Sequence, residues 1–323
     1  MATTTSPRIG IIGTGAIGGY YGTLLARAGF EVHFLLRSEY DAVRANGLRL
    51  QHASLGDVHL PHVNAWQNAA DMPPCDWLLV GAKTTSNAAL APLIAQVAAP
   101  GARVVLLQNG LGVEEALRPL LPEPLHLLGG LCFICVHRAA PGVVVHQAQG
   151  ACNLGYHSGP ATDEAARHAI AEEGAVLLRQ AGVDSSALPS LVAARWQKLV
   201  WNVPYNGLSV LLKASTLPLM ANPATRALIT ELMDEVIAAA QASGVVLPEG
   251  YARKLIAFTE KMPDYLPSMY HDFTHQRPAE LAAIYAAPLA AARAVGIEMP
   301  RVQMLYQSLQ FLAARQGDLS SVN

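Results

Sequence analysis

The stretch GIIGTGAIGGYYGTLLARAGFEVHFLLR, Gly10 to Arg37, decides the fold of this chain. The apolar run RIGII (8–12) reads as a buried strand. Gly13, Thr14, Gly15, Ala16, Ile17 and Gly18 follow, with their glycines in G-x-G-x-x-G spacing. A helix then reads on to about Ala28, and EVHFLL (31–36) reads as a second strand. In this strand–turn–helix–strand context the spacing points to dinucleotide binding. The first glycine permits the tight turn, the second lets the backbone approach a pyrophosphate, and the third permits close helix–strand packing.

The end of the second strand selects among dinucleotides. An NAD site usually places an acid here to accept from the ribose 2′-hydroxyl. Here the chain has Leu36, Arg37 and Ser38, and an arginine with a hydroxyl suits a 2′-phosphate better. NADP is therefore the expected cofactor, and no isoalloxazine-binding elements for FAD can be located.

Outward from this stretch, strands alternate with helices. DWLLVGA (76–82), RVVLLQ (103–108), LHLLGGLCFI (125–134) and GVVVHQ (143–148) read as strands, with helices near 86–98 and 112–119. Ser38 and Asp41 are spaced as a capping box opening another helix. This alternation predicts a mostly parallel sheet covered by helices. Two loops leave carboxyl ends of strands, where open sheets bind ligands. Lys83 lies in the first, and Asn109 and Gly110 in the second, as candidates to meet cofactor or substrate.

After Thr162 the pattern becomes helical. Helices read over about 163–180, 222–242, 249–262, 277–295 and 300–315, with Asn222 and Pro223 as N-cap and N1. At 323 residues the chain is long for one domain. The fold class expected is α/β: a Rossmann-type NADP-binding domain over 1–187, then an all-helical substrate-binding and catalytic domain over 188–323.

Composition narrows the function. A net charge of −2 gives no basic field to recruit nucleic acid or an anionic membrane. Only 14% of residues are charged and 52% are hydrophobic, which suits an extensive core or a homodimer interface. The N-terminus lacks the pattern of a signal peptide, and the neutral stretch Thr84 to Ala102 is broken by Pro92, Pro100 and Gly101, so the cytoplasm is the expected location. Four cysteines do not suggest a disulfide scaffold. Cys132 and Cys135 form a CxxC, but its flanks read as a strand, and buried strand cysteines are the preferred reading over a metal or redox pair.

The stretch RWQKLVWNVPYNGLSVLL (195–212) places Lys198, Asn202 and Asn206 four apart in an otherwise apolar helix. Steps of four keep all three on one stripe. An unpaired buried polar group costs roughly 2–7 kcal/mol, so the stripe implies a wet cleft. A lysine there is suited to general-acid work, since partial desolvation lowers an ammonium's pKa toward neutrality. Pro204 is expected to bend or loosen the helix. A second polar cluster lies in 266–285, with Ser268, His271, Asp272, His275, Arg277 and Glu280. His271 and His275 lack an HExxH arrangement or a third ligand, so no metal is expected.

With these motifs in order, the chain resembles the ketopantoate reductase (2-dehydropantoate 2-reductase) family over nearly its full length. IGIIGTGAIGGYYG followed by HFLLRS resembles the family's cofactor end, and QNG (108–110) its loop. WQKLVWNVPYNGLS resembles its K-x-x-x-N-x-x-x-N helix, and Ser268, Met269 and Asp272 followed by Glu280 resemble its C-terminal signature. The resemblance implies NADPH-dependent reduction of ketopantoate to (R)-pantoate, in pantothenate biosynthesis. It implies Lys198 as general acid, Asn202, Asn206 and Ser268 as substrate binders, and Asp272 as support for the site. Glu280 would orient the substrate or the lysine, Asn109 would lie near the nicotinamide, and Arg37 and Lys83 would address the adenine-ribose phosphate. The chain departs from the family's N-P-L-T with Asn206, Gly207, Leu208 and Ser209, and from its I-N-G with Ile284, Tyr285 and Ala286. Two alternatives remain beside this reading: a reductase of another branched 2-oxo acid, and an NADP-binding sensor without turnover.

Overall fold

The computed structural model describes residues 6–320, with side chains to Gln316. Residues 1–5, on which part of the signal-peptide reading rests, lie outside the described residues. Two compact units form. One comprises the chain up to Gln108 together with Val113–Leu191, and the other Asn109–Gly112 together with the chain from Val192.

The first unit is built on a nine-stranded sheet. In chain order its elements are β1 (Ile9–Ile12), α1 (Ala16–Arg27), β2 (Val32–Leu35), α2 (Tyr40–Asn46), β3 (Leu48–His52), β4 (Gly56–Leu60), β5 (Asn64–Trp66) and β6 (Cys75–Val80). Then come α3 (Asn87–Val97), β7 (Ala98–Leu106), α4 (Val113–Leu117), β8 (His126–Ala140), β9 (Val143–Ser158) and α5 (Glu164–Gln180). The strand order is β4-β3-β9-β8-β7-β6-β1-β2-β5. The run from β5 through β2, β1, β6 and β7 to β8 is parallel, whereas β8–β9 and β3–β4 are antiparallel. All four residues of β1 are buried, as a central parallel strand covered on both faces requires. Ile9, Ile11, Phe34, Val105 and Leu128 share the core, each such side chain contributing about 1.5–3 kcal/mol by burial. The chain leaves β1 for β2 on one side and later places β6 on the other. The glycine-rich turn therefore stands at a topological switch point, where open sheets bind ligands.

Several local expectations are corrected. Strands β3, β4 and β5 were not expected, because they are short and rich in exposed polar residues. Ser38 and Asp41 do not form a capping box: Glu39 holds the N-cap position of α2, without a side-chain cap bond. Its carboxylate instead pairs with Arg138 and accepts from the Gly142 amide at 3.0 Å, tying α2 to the β8–β9 turn. Asp163 caps α5 by accepting from the Ala166 amide at 2.8 Å. Cys132 and Cys135 are, as expected, buried cysteines of a strand, β8. Cys132 opposes Cys152 across β8 and β9, with the sulfurs 3.9 Å apart, and all four cysteines are buried.

The second unit is helical: α6 (Leu191–Leu212), α7 (Thr216–Ala221), α8 (Pro223–Ala242), α9 (Tyr251–Glu260), α10 (Ser268–Thr274), α11 (Ala287–Ala294) and α12 (Pro300–Ser320). Asn222 caps α8 by accepting from the Ala224 and Thr225 amides at 2.9 and 3.3 Å. Val200, Val203, Ile229, Met233, Val236 and Leu305 lie in its core. Helix α6 runs on through Pro204. The helix expected over 277–295 is absent in its first turn. Residues 277–280 belong to no helix or strand, and α10, not expected as a helix, precedes them.

A π turn over Ala282–Ala286 leads into α11. The Ala287 amide reaches back five residues to the Ala282 carbonyl. In this register the donor for Ala283 O would come from residue 288, which is a proline without an N–H. The carbonyl of Ala283 is thus released from the helix by the sequence itself. No helix among the described residues is long and apolar enough to cross a membrane.

Candidate active site

Three glycines shape the turn after β1, for different reasons. Gly13 has φ +89°, where a side chain is strained, and a Cβ there would stand 2.5 Å from the Ala82 amide nitrogen. A Cβ on Gly18 would stand 2.2 Å from the Gly13 carbonyl oxygen, so only glycine lets α1 begin flush against the turn. A Cβ on Gly15 would meet nothing within 4 Å. The fold itself does not ask for glycine there, whereas close approach of a phosphate to the backbone does.

Gly15 is the N-cap of α1 and provides no side-chain cap, so the first amides of the helix are available to an anion. Ala16 and Ile17, half-buried, begin that first turn. Thr14 adds a buried Oγ1 that has no hydrogen-bond partner among the described residues. This set of donors fits a pyrophosphate.

Beyond β2, Arg37 and Ser38 are exposed, and no acid stands at the strand end. The next acid, Glu39, is buried and committed to Arg138 and Gly142. Lys83, half-buried, caps a short 3-10 turn after β6. Its loop is held by a clasp that the sequence reading missed. Gln108 donates to Ala82 O at 2.8 Å and to Asn87 Oδ1 at 2.6 Å, while Asn87 Nδ2 returns a bond to Gln108 Oε1 at 3.1 Å. Both amides are buried. The available signal was a pair of amides flanking two ligand-facing loops.

In the helical unit, Lys198 is half-buried, one turn before the buried Asn202 and two before the buried Asn206. Asn206 Nδ2 donates to Asn202 O at 3.0 Å, and its Oδ1 accepts from the Met269 amide at 3.3 Å. That second bond places the first turn of α10, with exposed Ser268, beside the stripe. Asn206 carries two N–H donors, of which this arrangement uses one.

Asp272, 5% exposed, pairs with Arg277 Nε at 3.3 Å, and its carbonyl accepts from the Arg277 amide at 2.8 Å. The ion pair and the backbone hydrogen bond close the reversal after α10, where Gln276 takes φ +52°. His271 and His275 have ring centroids 6.4 Å apart. No cluster of three or more metal-ligating side chains forms among the described residues.

Glu280 is buried at the entry to the π turn, its carbonyl accepting from the Ile284 amide at 3.1 Å. The loop Asn109–Gly112 docks on the same turn. The Leu111 amide donates to the released carbonyl of Ala283 at 2.9 Å. Gly110, with φ +105°, leaves no room for a Cβ, which would stand 2.4 Å from the Ala283 side chain. Asn109 and Glu280, far apart in sequence, are thereby carried on one local framework.

Fold and residues together define a Rossmann-type dinucleotide-binding protein whose helical unit carries a lysine–asparagine stripe. Comparison with known proteins makes this specific. Residues 9–159 match the family described as ketopantoate reductase PanE/ApbA, and residues 190–313 match its C-terminal region. The chain belongs to the ketopantoate reductase family. It is 42% identical over 310 residues to the 2-dehydropantoate 2-reductase of Nostoc sp., covering 94% of this chain and 95% of that protein. Among solved structures it is similar to the 2-dehydropantoate 2-reductase of Geobacter metallireducens, at 42% identity and a TM-score of 0.87 over 94% of this chain and 99% of that one. It is also similar to the enzyme of that name from Methylococcus capsulatus, at 35% identity and a TM-score of 0.81 over 96% and 97%.

Proposed function

We propose that this protein reduces 2-dehydropantoate to (R)-pantoate with NADPH. The observation that carries the reading is the stripe on α6, where a half-buried lysine shares one face with two buried asparagines. Binding a dinucleotide does not require that stripe, whereas protonating and holding a 2-oxo acid does. The identity of 42% with a relative named for this reaction supports the same conclusion.

Bound NADPH supplies hydride to C2 of the 2-oxo acid. The turn from Gly13 to Gly18, with Thr14, Ala16 and Ile17, holds the pyrophosphate, and Arg37 and Lys83 hold the adenine-ribose phosphate. Asn109 would meet the nicotinamide when the cofactor is bound. Lys198 donates a proton from Nζ to the carbonyl oxygen as negative charge develops there, a role that contributes typically 10²–10⁴-fold. Asn202, Asn206 and Ser268 orient the hydroxyl and carboxylate, and Glu280 orients the lysine or the substrate. Asp272 acts by holding the chain reversal after α10.

Reduction of another branched 2-oxo acid is the second reading, favoured by Gly207 and Tyr285 where the family pattern differs. Loss of reduced-nicotinamide absorbance, followed with NADPH or NADH and a panel of branched 2-oxo acids, tests both. Turnover of 2-dehydropantoate with NADPH but not NADH is the expected result. Turnover of a different acid alone transfers the assignment to that acid. Tight NADPH binding with no turnover of any acid refutes the reductase reading in favour of a sensor.

A further inference from the structure

Tyr285 is fully buried in the π turn, and burial holds its hydroxyl well above the ordinary tyrosine pKa, so it remains a donor. It donates to the Val203 carbonyl at 2.9 Å. Val203 stands between Asn202 and Pro204 in the middle of the polar stripe. The hydroxyl reaches α6 only because residue 207 is glycine: a Cβ there would lie 2.6 Å from Tyr285 Oη and 2.6 Å from the Leu305 side chain. Gly207 and Tyr285 therefore meet, and each accommodates the other. On its other side the ring of Tyr285 stacks with that of Tyr306, centroids 6.2 Å apart and planes within 10°.

We infer that Tyr285 is a positioning residue for the active site, fastening the turn that carries Glu280 and the loop that carries Asn109 to the asparagine stripe of α6. Three links make the chain of contacts. Asn109–Gly112 is fixed to Ala283 through Leu111, Ala283 and Glu280 share the π turn, and Tyr285 fixes that turn to Val203. A π register is what allows this. It frees the Ala283 carbonyl for the loop, since Pro288 offers no N–H. Turns of this kind inside helices occur frequently at functional sites. Tyr285 touches no reacting atom, so its effect passes through Glu280 and Asn109.

The inference rests on the reductase reading, and the test separates the two. Tyr285→Phe keeps the ring and its stacking and removes only the hydroxyl. With the 2-oxo acid that the wild-type protein turns over, we expect kcat/KM to fall about tenfold or more through kcat. The Kd for NADPH, read by fluorescence titration, should stay within twofold. Hydrogen exchange read on the same pair of proteins should accelerate over 109–112 and 280–287, and stay unchanged in the first unit. Tyr285→Phe with wild-type kcat/KM and wild-type exchange at Leu111 overturns the inference. A parallel loss of NADPH affinity and helical content would reduce Tyr285 to a general core residue and overturn it too. If the wild-type protein turns over no acid, the reductase reading fails, and the exchange at Leu111 still decides whether Tyr285 holds the loop.

Discussion

Alanine at Gly15 and at Gly18 separates what the glycine-rich turn does for the fold from what it does for a ligand. At Gly18 the new methyl would stand 2.2 Å from the Gly13 carbonyl oxygen. That atom is backbone, so relief requires the turn to move, and overpacking of this kind costs about 1–3 kcal/mol. Alanine in place of a helical glycine returns about 1 kcal/mol. Overlap with backbone puts the cost near the upper end, leaving a net loss of about 1–2 kcal/mol. For a unit of this size that is roughly 2–8 °C in melting temperature. At Gly15 the methyl meets nothing within 4 Å, and at an N-cap alanine is less favourable than glycine by under about 1 kcal/mol. Gly15→Ala should therefore melt within a few degrees of the wild type yet bind NADPH at least about tenfold more weakly, a loss of about 1.4 kcal/mol. Scanning calorimetry without ligand and fluorescence titration with NADPH give both numbers. Wild-type NADPH affinity in Gly15→Ala would falsify the placement of the pyrophosphate on this turn. A Gly18→Ala protein as stable as the wild type would refute the steric account.

Three further outcomes are expected. Lys198→Ala should lower kcat/KM for the 2-oxo acid by about 10²–10⁴-fold while leaving NADPH affinity within twofold, and a loss under tenfold would remove Lys198 as the proton donor. Arg37→Ala should weaken NADPH by about tenfold or more and leave NADH unchanged, as competition binding would register, because a charge-assisted bond to the 2′-phosphate contributes about 1.5–3 kcal/mol. The third concerns His52, which faces His146 across β3 and β9 with rings 4.1 Å apart, and which touches Tyr20 of α1 at 3.3 Å. Burial first, then the charges of His146 and Arg27, lowers the His52 pKa, while burial pushes Tyr20 up to about 12. The unfolded chain then takes up the His52 proton more readily than the folded one. This contribution to stability is whole above the unfolded value near 6.5 and declines as pH falls from there toward the lowered folded value. Melting temperatures between pH 7.5 and 5.5 should fall less steeply in His52→Asn than in the wild type, and equal slopes would reject the account.

The turn and α1 were legible because backbone contacts dictate Gly13 and Gly18, so spacing alone carries much of the geometry. The lysine–asparagine stripe was legible because helical periodicity puts steps of four on one face. Strands β3 to β5 were not. Leu48 and Leu50 alternate with exposed Arg49 and Gln51 over too short a run to stand out from a loop. Helix α10 was missed because it is one short element pinned by a distant amide, Asn206 to Met269. The π turn was hidden for a different reason. Apolar pattern does not distinguish pairing at four residues from pairing at five, and its one sequence mark, Pro288, reads equally well as an ordinary helix start. The bonds of Asn87, Gln108 and Tyr285 were not legible because each acts on backbone carbonyls or partner amides that only folding brings near.

The placement of Asn109–Gly112 with the helical unit has a consequence for how the protein is made. These four residues leave the ribosome long before the turn that receives them. The sheet strands on either side, β7 and β8, can pair as soon as they are synthesised, whereas Leu111 must wait for Ala283. Vectorial synthesis thus leaves this loop as one of the last segments to be placed, through a contact of very long sequence separation. A chain stalled or cleaved before residue 283 contains every strand of the sheet and lacks the carbonyl that Leu111 binds. Placement of the loop is in this way tied to synthesis of the helical unit rather than of the sheet that flanks it.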